Sequence, residues 1–87
     1  MKKFDYTITG KEGLHSRPAG LLAKEAAKFC CDIQIKNKET GKTGDAKKLY
    51  SLAQLSLRYD TPVEISINGV DEQAACEELE KFFEENL

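Results

Sequence analysis

Apolar and polar residues change rhythm five times along the chain. Phe4, Tyr6 and Ile8 alternate with Asp5, Thr7 and Thr9, the two-residue period of a strand with one buried face. This predicts a first strand ending at Gly10. From Ser16 the period lengthens, and Ala19, Leu22, Ala23, Ala26, Phe29 and Cys30 share one stripe at helical spacing. That stripe is predicted to pack on a sheet, with Arg17, Lys24 and Lys28 on the opposite face. Ile33 and Ile35 alternate with Asp32, Gln34 and Lys36 as a second strand. A polar turn over Asn37 to Gly41 leads into a short third strand around Lys42 to Gly44, which completes a hairpin.

A second, shorter helix is expected to begin at Asp45 or Ala46, with Leu49, Leu52, Ala53 and Ser56 on one side and Leu55 and Leu57 nearby. Lys47 and Lys48 would then stand in its first turn, against the helix dipole, which suggests an anionic partner on that surface. Val63, Ile65 and Ile67 alternate with Glu64, Ser66 and Asn68, and Pro62 is acceptable at the head of such a strand. A terminal helix follows, with Ala75, Leu79, Phe82, Phe83 and Leu87 facing inward. The order strand, helix, strand, strand, helix, strand, helix predicts an α+β chain, with three helices on one side of an antiparallel sheet and water on the other. A right-handed crossover lets strands one and two run parallel with the last strand between them.

With 87 residues the chain has room for a single domain, 1–87, and little room for a buried substrate cavity. No apolar run approaches a membrane span, and the alternation in Met1 to Thr9 is unlike a signal peptide. A cytoplasmic protein without membrane contact is expected. Three cysteines, two of them adjacent at Cys30 and Cys31, lack zinc-type spacing and are expected as reduced, buried or half-buried thiols. No metal or cofactor is expected. Residues 71 to 85 hold seven acids against Lys81 alone, while bases outnumber acids over the rest. A positive body with a negative terminal helix offers no continuous basic track for nucleic acid and suits an acidic protein partner instead.

The only histidine, His15, lies in the run Gly13, Leu14, His15, Ser16, Arg17, Pro18, Ala19, Gly20, where strand-like sequence gives way to helix-like sequence. If His15 is the N-cap, the backbone N–H groups of Ser16 and Arg17 are free to meet an anion on the imidazole. Pro18 then falls in the first turn, where its missing N–H costs little. Arg17 adds a guanidinium fork suited to phosphoryl oxygens. Imidazole is nucleophilic near neutral pH without help, so it can accept and release a phosphoryl group. The bland alternative is a surface or capping histidine.

Gly13, Leu14, His15, Arg17, Pro18 and Ala19 resemble the active-site signature of the HPr family, the histidine phosphocarriers of the bacterial sugar phosphotransferase system. Chain length, element order and the lysine-rich segment before the second helix are similar too. The resemblance implies an open-faced sandwich with sheet order 1-4-2-3. It also implies that His15 receives a phosphoryl group on Nδ1 from enzyme I, which is charged by phosphoenolpyruvate, and passes it to enzyme IIA domains. Arg17 would be the electrostatic partner of that group. Ser16, Arg17, Lys24, Lys28, Lys48, Leu49 and Tyr50 are the candidate binding residues of what is expected to be a monomeric carrier and not a free-standing enzyme.

The chain departs from the family in a longer turn after the second strand, in Leu49, Tyr50 and Ala53 where isoleucine and methionine are usual, and at two further positions. Counting from Gly41, Lys42 and Thr43 puts Lys48 where Gram-positive members carry a kinase-regulated serine, and Ser56 replaces a usual glycine. The alternative function is a regulatory binding module of the same fold that docks a sensor according to its phosphorylation state.

Overall fold

The computed structural model describes residues 1–87, apart from the side chain of Ser16. The elements are β1 (Lys2–Thr7), α1 (Ser16–Ala26), β2 (Asp32–Asn37), β3 (Thr43–Asp45), α2 (Leu49–Ala53), β4 (Pro62–Asn68) and α3 (Glu72–Asn86). All four strands form one sheet in the order β1-β4-β2-β3, and every neighbouring pair is antiparallel. Ile65 is central to the register, opposite Phe4 on one side and Ile35 on the other. One face therefore carries Phe4, Tyr6, Ile33, Ile35, Val63, Ile65 and Ile67. The other carries Asp5, Gln34, Lys36, Glu64 and Ser66, as strand alternation requires.

The helices cover the apolar face. Leu22 and Ala26 of α1, Leu52 of α2, and Ala75, Leu79 and Phe83 of α3 are buried in one cluster with the strand isoleucines. Phe83 meets Phe4 and Tyr6 edge to face, with ring centroids 5.8 and 5.4 Å away, the arrangement that aromatic quadrupoles favour. Leu87 is buried as expected, and Phe82 is half-buried.

Several boundaries differ from the sequence expectation. Strand β1 ends at Thr7, although Ile8 is still fully buried. Helix α1 stops at Ala26, so Phe29 and Cys30 leave its stripe; Phe29 is half-buried, and Cys30 is exposed while Cys31 is buried. Long-range polar contacts draw the chain off the helix. Lys47 Nζ donates to the Phe29 carbonyl at 2.7 Å, and the Cys30 N–H donates to Asp71 Oδ2 at 2.8 Å. Helix α2 begins only at Leu49, with Lys48 as its N-cap. Lys47 and Lys48 thus precede the helix, and the Phe29 carbonyl takes the place of the anionic partner imagined for Lys47. Leu55 and Leu57 are buried beyond α2, whereas Leu49, Ala53 and Ser56 are exposed.

Asn37, expected in a polar turn, ends β2 and is buried. Its Nδ2 donates to the Leu55 carbonyl at 2.8 Å and its Oδ1 accepts the Glu39 N–H at 2.9 Å, so the buried amide is satisfied. Ser56 sits at φ 53°, in the left-handed region where glycine is at ease. That accounts for the glycine usual there.

Asp71, the N-cap of α3, ties that helix to the segment between α1 and β2. The Cys30 N–H, with help from the Cys31 thiol, holds its carboxyl below the usual range, and the second oxygen is buried without a hydrogen-bond partner. At Gly69 the backbone passes so close that an added Cβ would lie 2.5 Å from the Cys31 Cβ. A depressed folded-state pKa gives stability that is present above the ordinary carboxyl pKa and is lost as pH falls through the folded value. Asp71→Asn is therefore expected to lower stability at neutral pH and to narrow the gap from the unmutated chain in strong acid, as checked by urea unfolding across acidic pH.

Of the other thiols, Cys76 is buried, donates to Glu80 Oε1 at 3.2 Å and has its pKa pushed up to about 11, first by burial. A thiol so protonated is a poor nucleophile.

Candidate functional site

His15 stands where the loop after β1 becomes α1. It is the N-cap, with extended backbone (φ −91°, ψ −173°), and its carbonyl accepts the Ala19 N–H at 3.0 Å. Ser16, Arg17 and Pro18 then fill the first turn. Helix geometry leaves the Ser16 and Arg17 N–H groups without intrahelical acceptors, and Pro18 has none to leave. The His15 ring makes no capping hydrogen bond, and its side chain is 43% exposed. The part-exposed imidazole thus stands beside a helix start that favours negative charge.

The loop beneath the histidine is pinned from three sides. The Gly13 N–H closes a turn on the Gly10 carbonyl at 2.9 Å, and the Leu14 N–H donates to the Leu57 carbonyl at 2.9 Å. The Leu87 oxygen accepts from the Thr9 and Gly10 N–H groups, at 2.6 and 2.9 Å, and from Thr9 Oγ1 at 3.1 Å. The segment after α2 forms the floor. Arg58 N–H donates to Thr61 Oγ1, the Asp60 N–H donates to the Ile8 carbonyl at 2.7 Å, and Asp60 takes φ 68°. Gly13, at φ 66°, lies so close to this floor that an added Cβ would fall 2.6 Å from the Leu57 carbonyl oxygen and 2.8 Å from the Arg58 Cα.

Among the binding candidates, Arg17 and Lys24 are exposed and lie seven positions apart on α1, which puts them on one face. Lys28 is not part of that stripe. It lies past the helix end, and its ammonium contacts Glu25 at 3.1 Å. Helix α2 packs against α1 and presents Lys48, Leu49 and Tyr50 to solvent, with Leu49 49% and Tyr50 77% exposed. The side chain of Ser16 lies outside the described residues.

Sequence reasoning missed two neighbours. Leu21, 44% exposed, shares the outward face of Arg17 and Lys24, and its offset of four from Arg17 was the available signal. Glu12 Oε2 lies 3.1 Å from His15 Nε2. Nothing in the helix pattern announces that contact, because Glu12 precedes the helix.

In sequence and fold the chain is similar to phosphocarrier proteins. The family model described as the PTS HPr component phosphorylation site covers residues 2–85. The phosphocarrier protein HPr of Buchnera aphidicola subsp. Baizongia pistaciae is 46% identical over 78 residues, which span 90% of this chain and 89% of the relative. Among solved structures, HPr from Thermoanaerobacter tengcongensis matches with a TM-score of 0.90 and 32% identity, over 97% of this chain and 92% of that one. The histidine-containing phosphocarrier protein of a Mycoplasma matches with a TM-score of 0.87 and 36% identity, over 93% of this chain and 90% of the other.

The fold and the relatives define a phosphocarrier of the phosphotransferase system. The chain belongs to the HPr family. Its relatives are named phosphocarriers, which does not favour the regulatory binding module as its function.

Proposed function

We propose that His15 is the phosphoryl acceptor, charged by enzyme I and discharged to enzyme IIA domains. The observation that carries this reading is the accessible ring at the start of α1, with no capping bond to occupy it. Arg17 and the free N–H groups of the first turn offset the charge of the phosphoryl oxygens. Partners dock on the outward faces of α1 and α2, which expose Leu21, Lys24, Lys48, Leu49 and Tyr50, with Lys28 at the margin. Apolar contact then gives area while the lysines steer an acidic partner. The chain acts as a monomeric single domain in the cytoplasm, and its partners supply the remaining catalytic groups. Among the described residues no helix is long and apolar enough to cross a membrane.

A small amount of the protein added to enzyme I, phosphoenolpyruvate and an excess of an enzyme IIA domain tests the reading. The proposal expects many phosphoryl groups on the enzyme IIA domain per molecule of the chain. A label that stops at one per chain and goes no further would mark a sensor instead.

A further inference from the structure

A charged group in contact with His15 comes from just outside the helix. Glu12 Oε2 lies 3.1 Å from Nε2. A carboxylate can only accept, so the pair requires a proton on Nε2, and a neutral ring bonded in this way keeps its lone pair on Nδ1. The backbone explains the contact. Between the two residues Gly13 takes φ 66°, and its N–H closes the turn on Gly10, which folds residue 12 back toward residue 15. Leu14, held by the Leu57 carbonyl, fixes the other side of the loop. No capping bond engages the ring.

We propose that Glu12 is a positioning residue for phosphoryl transfer: by holding the Nε2 proton it presents Nδ1 as the nucleophile and balances the positive charge that the ring acquires when Nδ1 bonds phosphorus. This rests on His15 being the acceptor. In the loading step the Nδ1 lone pair attacks the phosphorus of a phosphorylated donor protein. The Nδ1–P bond forms while the donor's bond to phosphorus breaks, its electron pair returning to the donor. The Nε2 proton stays in place, so the ring becomes an imidazolium facing the Glu12 carboxylate. In the unloading step the Nδ1–P bond breaks, its pair returns to Nδ1, and the ring is neutral again.

No proton has to leave the ring in either direction. The carboxylate stands to the imidazole as the aspartate does in hydrolase triads, where it fixes the tautomer and stabilises the imidazolium without taking the proton. Glu12 is 78% exposed, so the effect is modest and weakens with salt.

Two variants separate orientation from charge. In Glu12→Gln the amide oxygen can still accept from Nε2 but bears no charge, and Glu12→Ala offers neither. Nitrogen-15 NMR of the His15 ring reads the tautomer, and rapid-quench uptake from phosphorylated enzyme I reads the rate. The Nε2–H tautomer should persist in Glu12→Gln and fall toward that of free histidine in Glu12→Ala. Uptake should slow by roughly two- to fivefold in both, with the melting temperature unchanged.

Ring nitrogens in Glu12→Ala identical to those of the unmutated chain would overturn the proposal, whatever the rate does. So would an unchanged uptake rate in that variant. An unmutated chain that takes no phosphoryl group on His15 would instead be a failure of the reading on which the proposal rests.

Discussion

Replacing His15 by alanine is expected to leave the fold intact and to abolish phosphoryl uptake. The fold should survive because the ring is partly exposed, makes no capping bond and is paired with an exposed carboxylate, that of Glu12. The backbone bond from Ala19 to the residue 15 carbonyl does not depend on the side chain. Losing an exposed pair of this kind changes stability by under about 1 kcal/mol. Uptake should vanish because the remaining nucleophiles are badly placed or protonated. Cys31 and Cys76 are buried with raised pKa values, the exposed Cys30 lies past the opposite end of α1 from His15, and no other imidazole exists in the chain. The check is a pair of measurements on one preparation: a thermal melt close to that of the unmutated protein, and no mass gain after incubation with enzyme I and phosphoenolpyruvate.

The second large effect is expected at a residue with no side chain. Gly13→Ala would place a methyl group 2.6 Å from the Leu57 carbonyl oxygen and 2.8 Å from the Arg58 Cα, in a backbone conformation of φ 66° that disfavours any Cβ. Both obstacles are backbone atoms, so no side chain can swing aside. The loop must lift, and the Gly13 turn and the Leu14 bond to Leu57 go with it. A loss of about 2–4 kcal/mol in stability is expected. At temperatures where the variant is still folded, phosphotransfer should fall by tenfold or more, since misplacing a reacting group by about 1 Å is enough for such a loss. Gly20→Ala is the control. It lies inside α1 with nothing within 4 Å of the added Cβ, so it should gain about 0.5–1 kcal/mol. Urea unfolding of the two variants beside the unmutated chain reads both signs.

Most of the architecture was legible because strand alternation and helical stripes are local. Val63, Ile65 and Ile67 announced a half-buried strand, and β4 is that strand with Pro62 at its head. The start of α1 was legible for the same reason, since His15, Pro18 and the apolar stripe from Ala19 all bear on one turn. The sheet order followed from the resemblance and from crossover handedness.

The end of α1 was not legible. Its stripe continues through Cys30, but the Asp71 carboxylate and the Lys47 ammonium, distant in sequence, capture the backbone of residues 29 and 30. The start of α2 failed similarly: Asp45 Oδ1 takes the Lys47 N–H at 2.9 Å in a local turn, which postpones the helix to Leu49. Asn37 looked like a turn residue, and its burial depends on a carbonyl 18 positions away. At the site, the motif pointed to His15 and Arg17, but the Glu12 contact needs the left-handed Gly13 to bring it about. The lysine track was overdrawn, since Lys28 lies beyond the helix and beside Glu25.

The central claim is that one ring nitrogen of His15 carries the phosphoryl group. Its most direct test is to load the protein with enzyme I and phosphoenolpyruvate, keep it alkaline to preserve the phosphoramidate, and locate the modification by nitrogen-15 NMR of the histidine ring. The account predicts one phosphoryl group per chain, bonded to Nδ1 of His15 with the proton on Nε2. A phosphoryl group on any other residue, or none at all on a folded chain, would contradict it.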